Sequence, residues 1–189
     1  MHPLGEGFEV PAEYSPISAW TWFKVRPGHA LFLHVVSSRP VWYRGHYVGK
    51  RMVPCMGESC ALCCEGVGAQ VRYVFGVMEP LTEKIGLIEL GEQLGRCIGD
   101  RVAMNGGLRG MAICLTRYSA SKLSRIEIEF PSREAPEKLW NIPEIDLTRA
   151  LVLTWQSAKC PIPDDILKRS LRRQIAPGEL STSVGAQGG

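Results

Sequence analysis

The stretch KIGLIELGEQLGRCIGDRVAMNGGLRGMAICLTRY, residues 84–118, decides how the chain is read. It opens on an apolar run, Lys84 to Leu90, and closes on another, Arg109 to Tyr118, and both read as strands. Between them Gly91 to Gly99 predicts a short helix, because Leu94 and Ile98 stand four apart on one face. The glycines of Asn105 to Gly110 read as a tight turn. A phosphate-cradling loop would need a helix after it, and a strand follows.

Working outward, Ala30 to Val36 and Val71 to Met78 are rich in β-branched and aromatic residues and predict two earlier strands. In the second, Val71, Tyr73, Phe75 and Val77 share one face and Arg72 and Val74 the other. Downstream, Arg125-Ile126-Glu127-Ile128-Glu129-Phe130 alternates strictly, the mark of a strand with one wet and one buried face. Five strands with a helix between the third and fourth follow the order of an oligonucleotide-binding (OB) barrel. The expected class is therefore mainly β: a five-stranded OB-like barrel with an inserted zinc-binding loop and C-terminal helices. One helix is expected from Asn141-Ile142-Pro143 to about Ser157, and another from Pro163 with Asp164 and Asp165 at its positive end. Its apolar stripe would be Ile166, Leu167, Leu171 and Ile175. The expected layout is a flexible arm at 1–18, the OB-like domain at 19–160 with its insertion at about 39–68, a helix at 161–176 and a disordered tail at 177–189.

The 189 residues, 45% hydrophobic and 22% charged, suit one domain with a real core and exclude wholesale disorder. The longest early apolar stretch, Pro27 to Ser38, contains two histidines and falls short of the ~18–20 residues a membrane span needs. No basic start followed by an apolar run opens the chain, so a cytoplasmic protein without a signal peptide or membrane partner is expected. The net charge of +3 is mild, but it is segregated. Arg39, Arg44, Lys50 and Arg51 form one unopposed block, and Arg101, Arg109, Arg117, Lys122 and Arg125 another. Such blocks build a basic face for a polyanion, or else average out over a solvated surface.

Seven cysteines without an export signal argue against a disulfide framework. Four of them lie in PCMGESCALCCEG, as Cys55-x4-Cys60-x2-Cys63 with Cys64 adjoining, and His46 precedes them. A Cys-x2-Cys turn offers two thiolates whose sulfurs can accept hydrogen bonds from the backbone. His46, Cys55, Cys60 and Cys63 would complete a closed tetrahedral site for structural Zn2+. Cys64 can replace Cys63 or His46 in that set, and His34 is a second candidate imidazole. A thioredoxin-like Cys60–Cys63 pair is the redox alternative, but it should open a helix after a strand. No HExxH, GxxxxGK[ST], GxSxG or GxGxxG occurs, and a closed site has no position for substrate, so no enzyme is expected.

The run from His46 to Cys55, then Gly57, Cys60, Cys63 and Gly66, and a strand with Arg72 and Tyr73, resembles the zinc-containing OB-fold single-stranded-DNA-binding proteins of phages and mobile elements. Helix-destabilising proteins of T-even phages, which carry a Cys3His zinc loop within the barrel, belong to that group. The resemblance covers roughly Val41 to Met78; the ligand spacing differs, and the tail lacks the acidic tip by which cellular single-strand binders recruit partners. It implies a single-stranded-DNA-binding protein, largely sequence-independent, in DNA replication, recombination or repair, in the host cytoplasm if phage-encoded. Replication or recombination proteins and a second copy of the chain are then candidate partners.

The residue chemistry agrees, because such binding needs aromatic faces for bases beside cations for the backbone. Trp42, Tyr43 and Tyr47 are expected to stack, with Tyr73 either a fourth platform or, like Phe75, a core residue. Phosphate contacts are expected from Lys50, Arg51, Arg72, Arg109, Arg117, Lys122 and Arg125. Trp20, Trp22, Trp140 and Trp155 read as packing residues. The alternative function is a zinc-stabilised protein-interaction subunit of a replication, recombination or transposition complex. An enzyme would need an acid–base partner for Cys64 or a spare metal position, and neither is evident.

Overall fold

In the computed structural model, which describes residues 20–49, 51–121 and 125–172, apolar alternation is spent on one mixed sheet. Its strands are β1 (Thr21–Phe23), β2 (Ala30–Val35), β3 (Val41–Val48), β4 (Arg51–Pro54), β5 (Ala69–Met78), β6 (Ile85–Gly91), β7 (Ala112–Arg117) and β8 (Ile126–Glu129). The spatial order is β1-β6-β5-β2-β7-β8, with β3 pairing β5 and β4 pairing β3. Every pairing is antiparallel except that of β1 with β6.

β2 and β3 run along the same edge of β5, with Val35 opposite Val77 and Val41 opposite Val74. Residues 36–40 therefore bulge out against 75–76. Ser37 secures the bulge: its hydroxyl accepts from the Gly76 N–H at 3.1 Å, while the Gly76 carbonyl accepts from Val36. A Cβ on Gly76 would lie 2.9 Å from Ile145, so only glycine fits there without a shift.

The helices are α1 (Ala61–Cys64), α2 (Glu92–Asn105), α3 (Glu137–Trp140), α4 (Leu147–Ser157) and α5 (Asp164–Arg172). They clothe both faces of the sheet, and β5 shows why two cores form. Phe75 and Val77 point to one side, among Leu33, Ile88, Ile98 and Ile113 beneath α2. Val74 and Met78 point to the other, among Leu139, Leu147, Leu151 and Trp155 of α3 and α4. Each fully buried Leu, Ile or Phe contributes about 1.5–3 kcal/mol. Among the described residues no helix is long and apolar enough to cross a membrane.

The mainly β class stands, but the architecture is larger than the five strands expected. Eight strands are present and the sheet is open: among the described residues no pairing joins β6 to β8, and β1 occupies an edge of β6 instead. The first half of the segment expected as an irregular insertion at 39–68 is the β3–β4 hairpin. Its alternation was masked because outward positions hold Trp42 and Arg44 and inward ones Val41 and Tyr43. The expected turn at Asn105 to Gly110 is a helix end: α2 runs six residues past Gly99 and stops where Gly106, at φ 80°, takes the left-handed conformation. α4 starts later than expected, capped by Asp146, whose carboxylate accepts from the Arg149 N–H at 3.1 Å, a contact worth about 1 kcal/mol. The arm at 1–18, the tail at 177–189 and Ile175 lie outside the described residues.

Gly95 lets α2 lie on the sheet, since a Cβ there would come 2.2 Å from the Tyr73 ring. Gly95→Ala is expected to cost about 1–3 kcal/mol through overpacking, despite alanine's better helix propensity. Thermal unfolding checks this, and an unchanged or raised melting temperature would show that α2 does not seat this closely.

Candidate metal centre and nucleic-acid interface

β3 ends by carrying His46 into a fully buried position, and β4 returns the chain to Cys55 beside it. The ladder persists to that point, with Cys55 N–H donating to the Arg44 carbonyl at 2.8 Å. Gly57, at φ 75°, opens a single 3-10 turn over Gly57–Ser59, which delivers Cys60. α1 then turns the chain so that Cys63 faces back, and Gly66 at φ 79° lets it leave toward β5.

The result is a cluster in which the ligand atoms of His46, Cys55, Cys60 and Cys63 all lie within 4.8 Å of one another. Cys60 Sγ is 3.3 Å and Cys63 Sγ 3.5 Å from His46 Nε2, and Cys55 Sγ is 3.5 Å from Cys63 Sγ. Metal–sulfur bonds of about 2.3 Å and metal–nitrogen bonds of about 2.0 Å in a tetrahedron need edges of about 3.5–3.8 Å, so the set fits a metal ion. All the cysteines are free. His46 turns Nε2 to the sulfurs and leaves Nδ1 buried without a hydrogen-bond partner among the described residues. The electrostatics suit a cation. Backbone hydrogen bonds from Met56 and Cys63 pull the Cys60 thiol down to about 6. The hydrogen bond with the Cys55 thiol pushes Cys63 up to about 11. Three thiols this close cannot all ionise unless a cation offsets their charge. With four protein ligands the site would brace its loop rather than activate water. Cys64 is exposed and outside the cluster, and His34 is buried elsewhere, its Nδ1 3.3 Å from the Gly110 carbonyl.

The expected DNA contacts separate into those that face solvent and those built into the fold. Trp42 is 50% exposed and Tyr47 58% exposed, and Arg44 and Arg51 on the same hairpin are exposed too. Their spacing places Trp42 and Tyr47 on opposite faces of β3. The Arg169 guanidinium of α5 lies 5.7 Å from the centre of the Trp42 ring. Arg125 is exposed; Arg117 is half-buried and donates to the Ser121 carbonyl.

Two assignments, Tyr43 and Arg109, need correction. Tyr43 is a core residue at 3% exposure, packed edge-on to Trp155 with its hydroxyl donating to Glu89 at 2.7 Å, so it has no face for a base. Burial raises the pKa of both the Tyr43 hydroxyl and the Glu89 carboxyl. Tyr73 is half-buried and lies against the α2 core beneath Gly95. Arg109 is a tie inside the fold. Its guanidinium donates to the carbonyls of Val36 at 2.9 Å, Leu139 at 3.1 Å and Ile142, and pairs with Glu144 at 3.2 Å. Arg72 is half-committed, its Nε 3.5 Å from Glu89 and its Nη2 donating to Gln70. Lys50 and Lys122 lie outside the described residues.

Two exposed aromatics stand outside the expected contact set, although Tyr118 belongs to the aromatic–basic run Arg117, Tyr118, Lys122 and Arg125. Tyr118, 65% exposed, follows Arg117 at the end of β7, and Trp140, read as packing, is 56% exposed. The polar run after Arg117 was a usable signal for the first; nothing in the neighbourhood of Trp140 marks it.

No protein-family model, curated protein or solved structure matches the chain.

Proposed function

We propose that the protein is a zinc-braced, OB-like single-stranded-DNA-binding protein that acts without sequence preference in DNA replication, recombination or repair. The observation that carries the reading is the β3–β4 hairpin. It holds Trp42 and Tyr47 out to solvent beside Arg44 and Arg51, and its base carries His46 of the metal cluster. Zinc, favoured by a three-thiolate, one-imidazole set, would fix the hairpin's root so that the aromatic faces are pre-positioned. A single strand would wrap the hairpin and stack a base on each face, each stack worth about 1–3 kcal/mol, while the arginines neutralise phosphates. The pairings β5–β6, β5–β2, β2–β7 and β7–β8, with α2 between β6 and β7, agree with a Greek-key OB order left open at one seam.

Trp42→Ala and Tyr47→Ala are each expected to weaken oligothymidine binding about tenfold, with metal content and melting temperature unchanged. Fluorescence anisotropy with a labelled oligothymidine checks this. A double variant that binds as tightly as the parent would remove the hairpin from the interface. Val48, exposed next to Tyr47, favours a second reading of the same hairpin as the docking surface of a zinc-stabilised subunit in a replication, recombination or transposition complex. Docking of that kind would not show the salt dependence of phosphate contacts.

A further inference from the structure

A cleft of about 560 Å³ lies away from the hairpin, between the end of α2, the segment that follows β8, and α3. Two of its arginines lie over aromatic rings. The Arg101 guanidinium sits 5.7 Å from the centre of the Phe130 ring, and that of Arg133 sits 4.9 Å from the centre of Phe32. Neither has a carboxylate partner among the described residues. Arg101 Nε is moreover buried with no hydrogen-bond acceptor among the described residues. Arg109 on the same wall is taken up by Glu144 and backbone carbonyls, and among the described residues Glu134 is the one carboxylate that lines the cleft.

Trp140 forms part of the same wall with 56% of its surface open. The ring approaches the backbone at Gly110 so closely that a Cβ there would lie 2.8 Å from it, and Gly110 at φ 88° holds a conformation that glycine tolerates. An exposed indole beside two unpaired, ring-backed guanidiniums has the makings of a site for a planar base joined to a phosphate.

We propose that this cleft binds one nucleotide unit, its phosphate between Arg101 and Arg133 and its base against Trp140. Resting on the single-strand reading above, it is a second contact point for the bound strand. The same chemistry would admit a free mononucleotide. The cation–π contacts with Phe130 and Phe32 bias both guanidiniums toward the cleft, which reduces the side-chain entropy lost when a phosphate arrives.

The test compares the zinc-loaded protein with Arg101→Gln/Arg133→Gln, titrating each with a long oligothymidine at several salt concentrations and with thymidine monophosphate. Metal content and melting temperature confirm that the variant is folded. The expected result is about a tenfold loss of oligothymidine affinity and a salt slope shallower by about 0.7, the amount one phosphate contact contributes on a single strand. Trp140→Phe should retain the fold while losing the indole quenching that belongs to the cleft. If the parent binds DNA and the arginine variant matches it in affinity and slope, the cleft assignment is overturned and the hairpin reading stands. If the parent ignores DNA but binds the mononucleotide, and the variant does not, the cleft is upheld as a free-nucleotide site and the single-strand reading falls. Binding of neither ligand overturns both.

Discussion

Replacing Cys60 by serine is expected to release the metal and lower stability by at least about 3 kcal/mol. The sulfur lies 3.3 Å from His46 Nε2 at the centre of the cluster, and the residue is only 3% exposed. Serine's hydroxyl is a poor ligand for a soft site, and without the cation three neighbouring ligands lose the charge that holds them together. The damage should begin locally. The turn at Gly57–Ser59 and α1 bury no residue of their own, so a metal held by the cluster would be what orders them. Loss of the loop then unpins the end of β3. Cys64→Ser, exposed and outside the cluster, is the control and should keep full metal and the parental melting temperature. Metal analysis with thermal unfolding reads both. One bound equivalent and unchanged stability in the Cys60 variant would remove Cys60 from the ligand set.

The second large effect is expected at Arg109. Arg109→Met leaves the Val36 and Ile142 carbonyls without their arginine donor, while the Leu139 carbonyl keeps the Ile142 N–H and Glu144 keeps Ser38. Each abandoned buried acceptor costs about 1–3 kcal/mol, so a total of about 3–5 kcal/mol is expected after relaxation. A melting temperature lower by about 6–20 °C follows for a chain of this size. Arg109→Lys should rescue only part of it, because an ammonium cannot span carbonyls that the planar fork reaches together. The DNA salt slope of the folded fraction should not move. A variant of normal stability whose slope is shallower by about 0.7 would return Arg109 to the phosphate contacts.

What the chain disclosed in advance depended on how far each feature is set by neighbours in sequence. Cys55-x4-Cys60-x2-Cys63 is a local pattern, and the three sulfurs and His46 do converge. Long apolar runs such as Val71 to Met78 announced strands because burial on both faces leaves nothing else to read. Failures came where long-range contact overrode local composition. The helix expected over Gly91 to Gly99 continues to Asn105, and Gly95 inside it makes room for the Tyr73 ring that lies against it. Arg72 and Arg109 looked like free cations only because Glu89 and Glu144, distant in sequence, were not visible as their partners. Tyr43 next to arginines resembled a base platform, while strand alternation turned it inward onto Trp155. The edge strand β1 is three residues long and pairs in parallel with β6, a contact that no nearby turn announces.

The central claim is that an aromatic and basic surface, braced by zinc, holds single-stranded DNA. It is tested most directly by titrating the zinc-loaded protein with unstructured oligothymidine and following tryptophan fluorescence over a range of salt concentrations. The account predicts saturable quenching, with log affinity falling linearly against log salt at about 0.7 per phosphate contacted. Absence of quenching at low salt, or an affinity indifferent to salt, would contradict it.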